Sequence, residues 1–273
     1  MTMRGASAGS RADLVDRLEA VLGGAGTDAA GLGDNLFGVA SVLRGEPGLR
    51  RVATDVSTDA DAKAGLVRNI FEGRLSPAAL DLVAEGVRRR WTSSRDLADT
   101  LEELGVMAVV RSAGDSPSDT ARLSDELFAV HRLVDEDAGV RAALTDSSRS
   151  VADRRRLVAT LLDGRALPAT LTLAQQALSG SYRTPGVALE AYERTAAAVH
   201  HQRVAEVYVA QELSATEQTR LQQALSRQYG REVHVNVVVE PGLLGGMRVE
   251  IGEDVIDGTV AARLDEARRR LAG

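Results

Sequence analysis

An internal repeat constrains the fold of this chain more than any other feature. A shift of 91 positions aligns residues 32–104 with residues 123–195 without a gap, and about a quarter of the aligned positions are identical. Glycine and proline positions coincide as well as leucines, as when Pro77 maps to Pro168. Chance similarity between two helical stretches does not explain coinciding helix breakers. The repeat therefore predicts two copies of one structural unit.

Both copies have the periodicity of amphipathic helices. In the first copy an i, i+4, i+7, i+11 stripe, typical of a helix that buries one face, consists of Leu32, Leu36, Val39 and Leu43. Aromatic residues make up 3% of the chain, and a core of Leu, Val and Ala is typical of packed helices. A single helical stripe also runs through residues 95–111, so one continuous helix is predicted to join the copies.

The hydrophobic period changes after Gln202. Residues 233–239 alternate as in a strand, and residues 214–217 form a capping box at the start of a helix. Gly245-Gly246 is a turn signal before a second alternating segment, and helical spacing returns after Thr259. This order predicts a β-α-β-β-α domain, a three-stranded sheet with helices packed on it.

The predicted fold is mainly α with a small α+β C-terminal domain, in which tandem-duplicated helical bundle units precede the sheet. We expect a disordered N terminus at 1–10, a first helix at 11–22 within an additional helical unit at 11–101, a second helical domain at 102–202, and the α+β domain at 203–273.

Composition excludes several kinds of site. The chain has no cysteine, which excludes disulfides, thiolate metal sites and cysteine nucleophiles. The net charge of -6 argues against nucleic acid as a partner, because phosphate binding needs a clustered positive field. No signal peptide is recognisable, and no apolar run approaches the roughly 18 residues of a membrane span. We therefore expect a cytoplasmic protein, which can still sit on a membrane complex.

The four histidines give no support for metal binding. His200 and His201 are adjacent, so on a helix they point about 100° apart and cannot share a metal as an i, i+4 pair can. His131 and His234 are expected to have no carboxylate or histidine partner at metal-ligand spacing. No metal-binding residue is predicted.

Catalytic and phosphate-binding interpretations of the C-terminal block also fail. Glu250, Asp254 and Asp257 fit strand and turn positions better than the roles of acid and base. Gly245-Gly246 precedes a strand, whereas phosphate loops place their glycines before a helix whose amino end holds the anion. No catalytic or cofactor-binding residue is predicted.

Three arginine runs, at 88–90, 154–156 and 268–270, have two interpretations. They can form a solvated helical surface, where cations near helix carboxyl ends complement the exposed carbonyls. They can also contact acidic partner helices or lipid headgroups. The sequence leaves both interpretations open.

The order of short motifs near the C terminus is specific. The chain has, in order, Leu244-Gly245-Gly246, Ile251-Gly252 and Ile256-Asp257-Gly258-Thr259. This order resembles the signature of the F-type ATP synthase delta subunit family, which includes the mitochondrial oligomycin-sensitivity-conferring protein. Thr259 stands where the family has serine, and the residues before about 95 exceed the short form of the family. The chain thus resembles a long form with an extra N-terminal helical unit.

The resemblance implies a mechanical role and no enzyme activity. A delta subunit is a stator of the peripheral stalk, present in one copy per complex and requiring no cofactor. Its helical domain binds the N-terminal helices of the alpha subunits, and its C-terminal region joins the b subunit. The resemblance therefore implies a peripheral location at the cytoplasmic face of the bacterial plasma membrane.

The resemblance also implies two binding surfaces. In the family, the alpha-subunit helix lies in a groove between the first and fifth helices of the helical domain. Carried over by position, the groove is lined by Val106, Val109 and Val110 on one wall and by Leu171, Ala174, Gln175 and Leu178 on the other. The platform for the b subunit is expected at Leu244, Gly245, Gly246, Ile251, Gly252, Ile256, Asp257, Gly258 and Thr259. Because the second helical unit adjoins the family-like tail, we expect that unit to bind alpha.

A helical-repeat adaptor or regulator unrelated to ATP synthase, with a coincidental α+β tail, is the alternative. Such a protein would bind soluble partners. An enzyme would need a cleft with convergent polar groups, which the sequence does not supply.

Overall fold

The computed structural model describes residues 3–114, 116–201, 204–229, 233–243, 245–251 and 254–260. The chain forms two compact units, Met1–Ala196 and Ala197–Gly273. It is mainly helical, with a small mixed sheet near the C terminus, as the sequence predicted. No helix in this described part combines the length and apolar character that a membrane crossing requires.

The helices before the sheet follow one another with short connections. Within the described residues they are α1 (Ala6–Leu22), α2 (Ala29–Gly45), α3 (Pro47–Thr54), α4 (Ala60–Phe71), α5 (Pro77–Arg88), α6 (Asp96–Ser112), α7 (Pro117–Glu136), α8 (Ala138–Thr145), α9 (Val151–Leu162), α10 (Pro168–Gln176) and α11 (Pro185–His201).

The sequence repeat is also a repeat of structure. Helices α3 and α8, and likewise α4 and α9, have the same lengths and lie 91 positions apart at both ends. Arg50 donates to carbonyl oxygens at the end of α2, and Arg141 donates to one near the end of α7. The hydroxyls of Thr54 and Thr145 then donate to the carbonyl oxygens of these two arginines. The repeat thus extends to individual hydrogen bonds.

Helix α1 begins at Ala6, earlier than the predicted start at residue 11. The Ser7 hydroxyl donates to Asp96 Oδ2 at 2.6 Å, and the Ser10 hydroxyl donates to the Arg90 carbonyl oxygen at 2.7 Å. Both serines are buried. These two contacts give the first turns of α1 polar partners, which a search for apolar periodicity does not detect.

Helix α6 is the centre of the helical unit. Every residue from 104 to 111 is buried, and a stretch of eight residues exceeds two helical turns, so all sides of the helix are covered there. Helices α1, α2 and α10 pack against it. It is the single helix predicted to join the copies. The predicted boundary between the two helical units, at residues 101 and 102, falls inside α6. It stays a prediction.

Helix α2 crosses α6 at a pair of glycines. A Cβ on Gly33 would lie 2.9 Å from the Gly105 carbonyl oxygen and against Val109, and a Cβ on Gly105 would meet the Phe37 ring. Real Cβ atoms do not approach backbone oxygens this closely. The two backbones therefore pack in direct contact because neither position carries a side chain.

The sheet contains β1 (Val204–Val209), β2 (His234–Val239), β3 (Met247–Ile251) and β4 (Asp254–Asp257), with α12 (Ala215–Tyr229) between β1 and β2. Its order is β2-β1-β3-β4, where β1 is parallel to β2 and antiparallel to β3, and β3 is antiparallel to β4. The core that this sheet forms with α12 contains Ala205, Val207, Val209, Leu225, Val233, Val249 and Ile251.

The fourth strand corrects the prediction of a three-stranded sheet. Strand β4 has four exposed residues, and its two apolar residues, Val255 and Ile256, are adjacent and do not alternate. A strand of this kind is stabilised by pairing with β3 and leaves no periodic signal. The helix predicted after Thr259 lies, beyond Val260, outside the described residues.

Replacement of Gly33 by alanine should destabilise the helical unit. The added methyl group meets backbone at the α2–α6 crossing, and overpacking of this kind costs about 1–3 kcal/mol. The matched control is Gly38→Ala in the same helix, because Gly38 is exposed and a Cβ there meets nothing within 4 Å. That control should gain up to about 1 kcal/mol from helix propensity. Urea unfolding measures both, and equal stability of the two variants would contradict the close crossing.

Candidate functional site

One wall of the predicted groove lies inside the helical unit. The side chains of Val106, Val109 and Val110 are 1%, 1% and 4% exposed. Val109 lies against α2, since its Cγ2 atom is 2.5 Å from the Cβ that Gly33 lacks. The α6 wall is therefore buried within the chain, and at Val109 it is covered by α2.

The other wall is partly open. Ala174 and Leu178 are buried, whereas Leu171 and Gln175 are partly exposed. Helix α10 packs against α6, the helix that carries the other predicted wall. Of the seven predicted groove residues, Leu171 and Gln175 are the two with side chains at the surface. The Gln175 side-chain amide donates to the Arg155 carbonyl oxygen at 3.2 Å, which ties α10 to α9.

A carboxylate that the sequence analysis missed holds the start of α10. The Leu167 N–H and the Thr170 hydroxyl donate to Glu126 Oε2 at 2.7 and 2.6 Å. Burial tends to raise the pKa of Glu126, but these hydrogen bonds and the contact with Arg122 outweigh it and lower the pKa. The carboxylate form is therefore the one that anchors α10.

The first copy has the same contact with a different side chain. The Ser76 N–H donates to Asn35 Oδ1 at 2.7 Å, and these two residues lie 91 positions before Leu167 and Glu126. The alignment of the repeat contained this signal, because an acceptor side chain stands at the same place in both copies. Each copy thus fixes the start of its fifth helix from its second helix.

Two backbone hydrogen bonds within the C-terminal motif continue the β3–β4 ladder beyond the start of β3 and the end of β4. The Gly258 N–H donates to the Met247 carbonyl oxygen at 2.9 Å, and the Val260 N–H donates to the Gly245 carbonyl oxygen at 3.0 Å. Gly246 has a φ of 83°, and a Cβ there would overlap the Gly258 carbonyl oxygen. Glycine is therefore required by both the backbone conformation and the close approach. Leu244 and Gly252 lie outside the described residues.

The remaining motif residues close the turn after β4. The Thr259 N–H donates to Asp257 Oδ1 at 2.9 Å, and the hydrogen bonds from Thr259 lower the pKa of the Asp257 carboxyl group. Thr259 and Ile251 are buried, whereas Ile256 is 39% exposed. Within the described motif, Ile256 is thus the large apolar side chain presented to solvent, and the other members shape the end of the sheet.

The two faces of the sheet differ in character. Ile256 pairs with Val249, so it lies on the face that packs against α12. Val238 pairs with Tyr208 and lies on the opposite face. There the Arg248 guanidinium lies 4.4 Å from the Tyr208 ring centroid, a cation–π contact. Each face thus presents an exposed apolar side chain, Ile256 on one and Val238 on the other.

The arginine runs make contacts within the chain. Arg88 pairs with Asp61 and Glu85, and Arg89 pairs with Asp13 and Glu85. In the second run Arg154 donates to the Leu144 carbonyl oxygen, Arg155 to the Ser179 hydroxyl and Arg156 to Asp153. These contacts link neighbouring helices or turns. The run at 268–270 lies outside the described residues.

The expectation that His131 has no carboxylate partner at metal-ligand spacing was wrong, because Asp135 lies at i+4 and contacts it. Its Nδ1 lies 2.9 Å from Glu193 Oε1 on α11, and its Nε2 lies 3.2 Å from Asp135 Oδ2, one turn later on α7. Across the part of the chain that the structure describes, no group of three or more His, Cys, Asp or Glu side chains is arranged to hold a metal ion. The side chains of His200, His201 and His234 lie outside that part.

Comparison with known proteins identifies relatives over nearly the whole chain. The family model described as the ATP synthase delta (OSCP) subunit matches residues 107–271. The chain is 57% identical over 244 residues to ATP synthase subunit delta of a Nocardioides species, which covers 89% of this chain and 88% of the relative. It is 45% identical to subunit delta of Kineococcus radiotolerans over 94% and 93% of the two chains. It is 40% identical to subunit delta of Streptomyces avermitilis over 100% of both. The repeat unit before α6 therefore occurs in relatives too.

Replacement of Gly246 by alanine should destabilise the end of the sheet. A side chain there is disfavoured by the positive φ and overlaps the turn after β4, so amide exchange in residues 245–260 should accelerate at least about tenfold. The control is Gly242→Ala, where a Cβ meets nothing within 4 Å. Hydrogen–deuterium exchange measures both variants. Unchanged exchange in Gly246→Ala would show that the motif does not need the close approach.

Proposed function

The chain belongs to the ATP synthase delta (OSCP) subunit family, and from this membership we propose that it is a non-catalytic stator subunit in the peripheral stalk of an F-type ATP synthase. The observation that carries the proposal is the similarity to bacterial proteins named ATP synthase subunit delta across nearly the whole chain. An unrelated adaptor would not match these proteins over both the helical repeat and the C-terminal motif.

The mechanical role is to link the catalytic head to the b subunit while the rotor turns. One copy per complex binds the N-terminal helices of the alpha subunits through its helical unit and the b subunit through its C-terminal unit, at the cytoplasmic face of the plasma membrane. A stator needs binding surface and stiffness. Burial of α6 on all sides and the side-chain links between helices support stiffness in the helical unit.

The second copy is the one that binds an alpha-subunit helix in this proposal. Its α10 surface offers Leu171 and Gln175, and α6 lies behind that surface. Recognition of an amphipathic helix needs apolar anchors, and Leu171 supplies one on this surface, with the polar Gln175 one turn later. Helix α6, whose valines are buried, packs against α10.

Replacement of Leu171 by glutamate should weaken binding of the isolated catalytic head about tenfold or more, because a charge replaces an apolar anchor. The chain offers a matched control in Leu80→Glu. Leu80 lies 91 positions earlier, on α5, and is also partly exposed. Titration of the purified head with each full-length variant measures the affinities.

Three outcomes of this titration discriminate between the possible sites. Weaker binding with Leu171→Glu alone supports the second copy. Weaker binding with Leu80→Glu alone would transfer the alpha-subunit site to the first copy, and no effect from either variant would exclude the α10 surface.

The b subunit binds the C-terminal unit in this proposal, on the face that presents Ile256. The glycines and Asp257 of the motif position the end of β4, and Ile256 supplies the apolar contact. The other face of the sheet carries the Arg248–Tyr208 pair.

Replacement of Ile256 by aspartate should weaken binding of a peptide from the carboxyl end of the b subunit about tenfold. The control is Val238→Asp, because Val238 is 40% exposed, close to the 39% of Ile256, and lies on the opposite face. Calorimetric titration of the peptide into each variant gives the two affinities. A larger loss with Val238→Asp would mean that the b subunit binds the opposite face from the one proposed.

A further inference from the structure

Glu102 is a buried carboxylate that belongs to both copies of the repeat. It lies on α6 and is 2% exposed. From the first copy, Arg44 on α2 forms an ion pair with Glu102 Oε2. From the second copy, the Tyr192 hydroxyl donates to Oε1 at 2.7 Å and the Ser181 N–H donates to Oε2 at 2.8 Å. One carboxylate therefore connects α2, α6 and α11 with the turn that follows α10.

The backbone after α10 is shaped around this carboxylate. Gly180 lies so close that a Cβ there would overlap Glu102 Oε1, and the Gln176 side-chain amide lies 3.5 Å from the same oxygen. Gln176 is the last residue of α10. The end of α10 is thus held at Glu102 by a side chain, a backbone N–H and a position that only glycine can occupy.

Both ends of α10 are consequently fixed to other helices. Glu126 on α7 holds the start of the helix through Leu167, and Glu102 on α6 holds its end through Gln176 and the turn after it through Ser181. The partly exposed Leu171 lies between these two anchors. Rotation or translation of α10 away from α6 would break hydrogen bonds to a buried charge, which costs more than the loss of a surface contact.

We propose that Glu102 is a positioning residue that fixes α10 against α6 and thereby sets the shape of the alpha-subunit site on the second copy. This inference rests on the proposed function, because it assigns a role at the same site. Glu102 itself touches no partner. It acts by holding Tyr192, Ser181 and Arg44 at one point, so that the first copy contributes to the geometry of a site on the second.

Replacement of Glu102 by glutamine tests the proposal with little change in shape. A neutral amide keeps one oxygen acceptor but removes the negative charge that pairs with Arg44, and its NH₂ group can no longer accept from Tyr192, whose hydroxyl must then reverse its role. Hydrogen–deuterium exchange of the full-length variant should accelerate at least about tenfold both in residues 176–192 and at the α2 end around Arg44. Exchange in α4 should stay unchanged.

The matched control is Glu103→Gln, which makes the same chemical change one position later on α6. Glu103 pairs with Arg11 on α1 and is partly exposed. Its replacement should affect α1 and leave residues 176–192 unchanged. Equal effects of the two variants on residues 176–192, or acceleration confined to residues near 102, would overturn the positioning role.

A second variant covers the case in which Glu102→Gln fails to fold. Tyr192→Phe removes one donor from the second copy and leaves Arg44 and Ser181 in contact with Glu102. It should accelerate exchange in residues 176–192 by a smaller factor and weaken head binding about threefold or more. Unchanged exchange and unchanged binding in this variant would contradict the proposal.

The binding measurement separates this inference from the proposed function. Head affinity should fall in Glu102→Gln, mainly through faster dissociation, although the side chain is buried. Altered exchange with unchanged head affinity, when Leu171→Glu does weaken binding, would sink the positioning role alone. Unchanged affinity in Leu171→Glu would sink the α10 site itself, while the exchange results would still report whether Glu102 holds α10.

Discussion

A buried carboxylate on a fully covered helix is the constraint on which the helical unit depends. Helix α6 has no solvent-facing side between residues 104 and 111, and Glu102 lies just before that stretch with 2% exposure. A charge removed from water costs several kcal/mol unless donors replace the lost hydration. Here the donors come from helices of both copies. The copies are thus joined at a point where neither can withdraw without leaving a charge unsatisfied.

The environment of Glu102 shifts the pKa values of two neighbouring ionisable groups. Burial raises the pKa of Asp99, although Arg44 lies 3.2 Å from its Oδ1. Burial, reinforced by the Glu102 charge, raises the pKa of Tyr192 far above its usual range, so the phenol remains a donor at any physiological pH. Glu193, 91 positions after Glu102, pairs with His131 on α7 and has a side chain that is 23% exposed. The same position of the repeat is therefore Glu102, which is buried and connects the two copies, and Glu193, which is partly exposed and pairs with His131.

The repeat made much of this fold predictable. Helix breakers recur at a constant interval, so α3 and α8 or α4 and α9 could be placed by comparing the chain with itself. The C-terminal motif indicated the turn that Gly246 forms, because its spacing is specific. Strand β4 left no such signal, since its pairing partner and not its periodicity makes it a strand. The contacts of Glu102 were also out of reach, because one copy of a repeat does not reveal which residues bind the other.

The predicted groove is altered because α6 is shared by the two copies of the repeat. Positions carried over from a family with one helical unit assume that α6 has a free face, but here α2 crosses α6 at Gly33 and covers Val109. A helix that serves as the last helix of one unit and the first of the next has no side left for a partner. At the proposed site a partner binds a helix that flanks α6, and α10 is a flanking helix whose start and following turn are both held by buried or partly buried carboxylates. Covering α6 therefore removes one possible wall of a binding site and gives the remaining wall a rigid support, which suits a protein whose work is to resist displacement.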